Sequence, residues 1–212
     1  MWLLVTKDLR LEWRTREIVT TMALLAFLLV IVLGAARADP QSAPGAMWVT
    51  YAFAATLGFV RTFALERDHL TALRLAPVDR GSVFLAKAVA NWLMLVVVQV
   101  VSLPLFGALF TEAVWTRLPV LVLPIALGGI GLAAAGTLFG GVIVQTRLRE
   151  ALLPLLMLPV TLPLLIAAVS ATGAILEGMS LPAVRAQLQL LIAFDILFLT
   201  ISWLLFDVVL EE

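Results

Sequence analysis

Six nearly uncharged apolar runs divide this chain: Ile18–Ala36, Ala46–Leu65, Phe84–Phe110, Leu118–Val144, Ala151–Thr172 and Leu188–Phe206. A helix rises about 1.5 Å per residue and the hydrocarbon core of a bilayer is roughly 30 Å thick, so about 20 such residues span it. A closed barrel is the other way to satisfy a backbone in lipid, and it requires alternation of apolar and polar residues. Leu93–Val98 and Leu118–Leu127 do not alternate. The runs therefore predict an all-α integral membrane protein with six transmembrane helices, forming one domain over residues 1–212. The third and fourth runs exceed the bilayer thickness, which implies tilt or bending. Composition agrees: 63% of residues are hydrophobic and 13% charged, against about 45–50% and 25% in soluble domains. Neither a soluble globule nor a disordered chain fits that balance.

The scarce polar residues exclude several kinds of chemistry. With no cysteine and one histidine, His69, the chain by itself offers no thiolate or multi-histidine metal site. No G-x-x-x-x-G-K-[ST] phosphate loop is present, and Gly129-Ile130-Gly131 lies inside an apolar run. No G-x-S-x-G or H-E-x-x-H motif occurs either. No domain-sized basic face suits nucleic acid. The expectation is a membrane subunit without catalytic residues, metal or a bound cofactor of its own.

Fourteen Lys and Arg balance 14 Asp and Glu, yet they are unevenly placed. Eleven of the basic residues lie in or flank the segments before the first span, after the second and after the fourth: Lys7, Arg10, Arg14, Arg16, Arg61, Arg67, Arg74, Arg80, Lys87, Arg147 and Arg149. Arg37, Arg117 and Arg185 fall on the opposite side. The positive-inside rule then places both termini in the cytoplasm. Ala36-Arg37-Ala38 has the small-x-small form of a signal cleavage site. The apolar run before it, however, is longer than the roughly 7–15 residues of a signal, and the preceding segment mixes acids with bases. It reads as a retained span.

Ahead of that span, Trp2, Val5, Leu9 and Trp13 recur at helical spacing. They predict a short amphipathic helix in the interface, either an anchor for the first span or a lever against a cytoplasmic partner. Between the second and third spans, Leu70, Leu73 and Ala76 or Pro77 mark one face of another short helix, with Arg67 and Arg74 on a different face. Pro77 stops it, and Val78–Gly81 turns the chain back. Glu66, Arg67, Leu70, Leu73, Pro77 and Arg80 are the candidate residues for docking into a groove on a motor subunit. A helix resting on lipid headgroups fits the same spacing.

Inside the spans, Asp195 stands out because an ionised carboxylate at mid-helix costs about 2.5–3.5 kcal/mol on insertion scales. Asn91, Gln99 and Thr200 are its candidate partners. The functional alternative is a substrate or proton site. A carrier of that kind would show a relay of such groups, so a buried contact between helices is the favoured reading. The fourth span carries Gly129, Ala133, Thr137 and Gly141 at four-residue steps, with Gly136 and Gly140 adjacent, a stripe that lets another helix approach closely. In the fifth, Pro154 fits the first turn, while Pro159 and Pro163 interrupt the backbone ladder. Freed carbonyls at membrane depth need protein or water beside them, which makes this span the candidate moving or pathway-lining element.

Several of these stretches resemble the CcmB family. They are Phe63-Ala-Leu-Glu66-Arg67, Leu70-x-x-Leu73-x-Leu75-x-Pro77-Val-Asp79-Arg80, Leu85-Ala-Lys87-x-x-x-Asn91, Gly136-Thr-Leu-Phe139, Thr146-Arg-x-Arg149-Glu150 through Pro154, and Ala193-Phe194-Asp195. A departure is Asp68, where the family often has glycine. The resemblance implies an ABC-2-like permease subunit in the cytoplasmic (inner) membrane, serving cytochrome c maturation. It implies a CcmA-like ATPase that supplies the nucleotide site, CcmC- and CcmD-like membrane proteins, a periplasmic CcmE-like haem chaperone, and haem as the substrate handled. A second copy of the chain is a further implied partner. Closure of the ATPase would push the Glu66–Arg80 segment and rock the spans, either moving haem or releasing the loaded chaperone. An ABC permease for a polysaccharide, lipid or drug, and an ATP-independent carrier or scaffold, remain open beside that reading.

Overall fold

The computed structural model describes residues 5–6, 16–37, 39–66, 80–143, 146 and 148–209. Six long helices carry almost all of them: α1 (Glu17–Arg37), α2 (Ala43–Glu66), α3 (Arg80–Leu109), α4 (Ala113–Ile143), α5 (Arg149–Leu176) and α6 (Arg185–Val209). Each covers its apolar run to within one residue, and all six are long and apolar enough to cross a bilayer. No strand occurs among the described residues. The protein is a multi-pass membrane protein.

The connections on one face are short and chemically specified. Between α1 and α2, the Asp39 carboxylate accepts from the Gln41 N–H at 3.2 Å and starts a 3-10 turn, Pro40–Ser42. Between α3 and α4, the Thr111 hydroxyl caps the new helix by accepting from the Ala113 N–H at 3.2 Å. At the end of α5, Gly178 sits at φ 103°, a left-handed position suited to glycine. The Met179 N–H bonds to the Ala174 carbonyl and the Gly178 N–H to that of Ile175, so α5 closes in a Schellman motif. On the opposite face Arg16 adopts φ 55° as the chain turns into α1. There Glu17 in the first turn of α1 pairs with Arg61 of α2 at 3.0 Å. Both side chains are largely exposed, so this pair sets geometry more than stability.

Helix α4 is the centre of the bundle and packs against α2, α3, α5 and α6, while α1 is held by α2 and α3. Glycines make those approaches close. A Cβ on Gly128 would overlap the Trp48 ring of α2, and one on Gly136 would overlap Phe59 of the same helix. At Gly129 the neighbours are Gln99 and Trp92 of α3, and at Gly131 they are Leu164 of α5 and Asp195 of α6. Ala133 and Gly140 are buried as well. The stripe expected from sequence is thus shared among several partners rather than forming one seam. Aromatic rings fill the α2–α3 seam, running from Trp48 through Tyr51 and Phe106 to Phe110 with centroids 5.7–6.1 Å apart.

Gly136→Ala is expected to cost about 1–3 kcal/mol, because the buried Phe59 ring must move. Gly45→Ala, where nothing lies within 4 Å of the added methyl, is expected to be neutral or stabilising. Thermal unfolding of the two variants in detergent or nanodiscs checks the contrast.

Candidate functional site

Two regions bear on function: the polar residues inside the bundle, and the faces the bundle turns outward. Most of the connection proposed to meet a motor lies outside the described residues, including Arg67, Leu70, Leu73 and Pro77. Glu66 ends α2 and Arg80 starts α3, so the segment between them joins the well-buried α2 to α3. Of the N-terminal stripe, Val5 is helical and buried, while Trp2, Leu9 and Trp13 lie outside the described residues.

Within the bundle, several buried hydroxyls satisfy themselves locally. Thr56, Thr62 and Thr161 each donate to a carbonyl one turn back, at 2.7, 3.1 and 3.0 Å. Other polar side chains tie helices together. Trp48 Nε1 of α2 donates to Thr172 Oγ1 of α5 at 3.0 Å, and Gln187 of α6 reaches Ser170 of α5 at 3.3 Å. Asn91, fully buried on α3, donates through Nδ2 to Thr137 Oγ1 of α4 at 2.9 Å. Gln99 Nε2 lies 3.4 Å from the Ile125 carbonyl of α4.

Asp195 departs from this pattern, as do the Thr50 and Ser202 hydroxyls, which have no partner among the described residues. It is 5% exposed, and neither carboxyl oxygen has a hydrogen-bond partner among the described residues. Asn91 and Gln99 are committed to α4, and Thr200 is exposed, so the partners expected from sequence do not meet it. What meets it is the bare backbone of Gly131, where a Cβ would stand 2.6 Å from Oδ1. Sequence reasoning passed over Gly131 because it falls off the four-residue stripe. The available signal was a glycine-rich mid-span level with a mid-span acid. Lys87 of α3 is a second buried charge that the span pattern concealed, at 5% exposure.

Helix α5 is continuous through Pro154, Pro159 and Pro163. Pro159 and Pro163 lie on its exposed side together with Leu155, Leu162 and Ile166. They therefore face away from the bundle core, and any pathway lined by them involves a surface outside this chain. On the face bearing the short connections, Pro40, Pro44, Thr111, Gly173, Leu176 and Glu177 border a cleft of about 100 Å³. Small-molecule sites run to roughly 300–1,000 Å³, so this cleft does not hold a porphyrin.

The family model described as CcmB protein matches residues 1–211. The heme exporter protein B of Paracoccus denitrificans (strain Pd 1222) is 33% identical over 171 residues, covering 77% of this chain and 78% of the relative. That of Pseudomonas aeruginosa (strain PAO1) is 31% identical over 185 residues, covering 84% and 82%.

Removing one partner of the Asn91–Thr137 bond strands the other in the bundle, a loss of about 1–3 kcal/mol. Asn91→Leu and Thr137→Val are each expected to destabilise, and the double variant to cost less than the sum of the two. A double-mutant cycle of denaturation midpoints measures that coupling.

Proposed function

This chain belongs to the CcmB protein family, and on that premise we propose that it is the permease subunit of a haem exporter serving cytochrome c maturation. The extent of the match carries this reading: residues 1–211 fall within one family model, so every span and connection has its counterpart there. The two relatives, each named heme exporter protein B, supply the cargo class. The chain acts as a membrane subunit rather than as an enzyme. ATP is bound and hydrolysed by a separate CcmA-like subunit, because the sequence has no phosphate loop of its own. CcmC- and CcmD-like membrane proteins and a periplasmic CcmE-like chaperone complete the assembly, with haem as what is handled rather than as a cofactor held by this chain. In this reading the protein resides in the inner membrane, and the eleven-to-three distribution of Lys and Arg supports an orientation with both termini cytoplasmic.

The mechanism follows from how the helices are joined. The connection 67–79 is the cytoplasmic segment against which the ATPase closes, and it is rooted in α2 and α3. Of the apolar window of α2, 67% is buried, against 22% for α6. A push on α2 therefore passes through Trp48 and Phe59 into the glycine faces of α4, and from α4 to α5 and α6. The outward Pro159–Pro163 face of α5 is turned to the rest of the complex, since carbonyls freed by proline are tolerated against protein or water and not against lipid tails. A second copy of the chain is one occupant that would serve.

Reversing both charges at the root of the connection, with Glu66→Lys and Arg67→Glu together, is expected to reduce cytochrome c assembly to background at unchanged membrane expression. Haem-stained cytochrome c in a strain that depends on this chain reads the outcome. Wild-type assembly would remove the connection from the coupling mechanism.

A further inference from the structure

Four tryptophans stand among the described residues, and they divide into two pairs. Trp48 is buried and bonded to Thr172, and Trp92 buries its Nε1 beside Gly129 of α4. Trp115 and Trp203 instead face outward, at 50% and 47% exposure. Each of these two rests on a glycine of the same helix, α3, and they do so at opposite ends of it. A Cβ on Gly107 would overlap the nitrogen-bearing edge of the Trp115 ring, and one on Gly81 would overlap that of Trp203. The rings themselves come from different helices: Trp115 from the first turn of α4, and Trp203 from the last two turns of α6.

An indole is a broad apolar ring with one polar N–H, and tryptophan concentrates where hydrocarbon gives way to headgroups. The separation of this pair can be set against the bilayer. From Gly81 to Gly107, α3 takes 26 residues at about 1.5 Å each, or about 39 Å of axis. At the usual tilt of about 20°, about 37 Å of that lies along the membrane normal. The hydrocarbon is roughly 30 Å thick, and the bilayer with its headgroup layers about 40–45 Å. The two glycines, and the rings seated on them, thus reach one headgroup layer each. Between them the exposed side chains of α3 are Val97, Val100, Val101 and Pro104, all apolar. We propose that Trp115 and Trp203 anchor the protein in lipid, one in the interface of each leaflet, and that α3 sets the depth and tilt of the bundle through its two glycine seats. What covers the outer half of each ring is lipid at the level of the glycerol and headgroup. Seating both rings on α3 also ties the ends of α4 and α6 to the helix that spans from one interface to the other. The inference holds whatever the complex carries.

Depth-dependent quenching of tryptophan emission tests the proposal. The full chain is placed in phosphatidylcholine vesicles whose acyl chains carry bromine either near the glycerol or near the chain end. The emission lost in Trp115→Phe, and separately in Trp203→Phe, is expected to be quenched more strongly by the bromine near the glycerol. Equal or stronger quenching from the chain end would place the ring in the hydrocarbon, and quenching by neither would mean that something other than lipid covers it. Either result would overturn the proposal. A second measurement leaves both tryptophans in place. The chain has no cysteine, so nitroxides on Ala108→Cys, next to Gly107, and on Leu204→Cys, next to Trp203, can be introduced singly at exposed positions. Their relative accessibility to oxygen and to a water-soluble nickel chelate reports depth. Both are expected to lie shallower than a nitroxide on Val97→Cys, which is exposed between the two glycines. The same depth at all three positions would refute the anchoring.

Discussion

Close approach to the backbone of α4 is the constraint on which this bundle depends. In lipid, helices gain little from hiding apolar side chains from one another, and association rests on tight packing and on hydrogen bonds. At Gly128, Gly129, Gly131 and Gly136 the absent side chains make room for Trp48, Gln99 with Trp92, Asp195 with Leu164, and Phe59. Four other helices thereby stand directly on one. A methyl at Gly128, Gly131 or Gly136 would displace the Trp48 ring, the Asp195 carboxyl with Leu164, or the Phe59 ring, so in the proposed mechanism a displacement entering at α2 is passed on through these packed groups. That is the mechanical quality a permease subunit requires of its core.

The polar groups inside the bundle divide by the same logic. Thr56, Thr62 and Thr161 spend their hydroxyls on their own helix, and Trp48, Asn91 and Gln187 bridge between helices. These contacts fix α2, α3 and α4 as a frame, with α5 strapped to α2. Helix α6 packs along α4; its polar groups give a 3.3 Å contact from Gln187 to α5 at one end, and at mid-depth a carboxyl with no partner among the described residues.

The number and position of the spans were legible in the sequence because bilayer thickness acts on length and apolarity alone, and α1 to α6 fall on the runs read from it. Which helix meets which was not legible. Gly129, Ala133, Gly136 and Gly140 announce that something comes close without saying what, and they prove to serve different neighbours. Asp195 was legible as an anomaly, but its surroundings depend on the relative depth of α3, α4 and α6. Hence Asn91 and Gln99 looked like partners and turn out to be bonded to α4. The prolines of α5 were legible as weak points in the backbone, while their outward direction is a property of the packed bundle.

In the proposed mechanism the scarce charge of this chain is gathered to meet a motor at the connection between α2 and α3. A chain without cysteine allows a direct measurement, because a single introduced thiol has no background. With Arg74→Cys in membranes containing the whole complex, an impermeant maleimide is applied from the cytoplasmic side with and without the ATPase subunit. The thiol is expected to be modified when the ATPase is absent and protected when it is present. Equal modification in both cases, or modification from the periplasmic side alone, would contradict that mechanism.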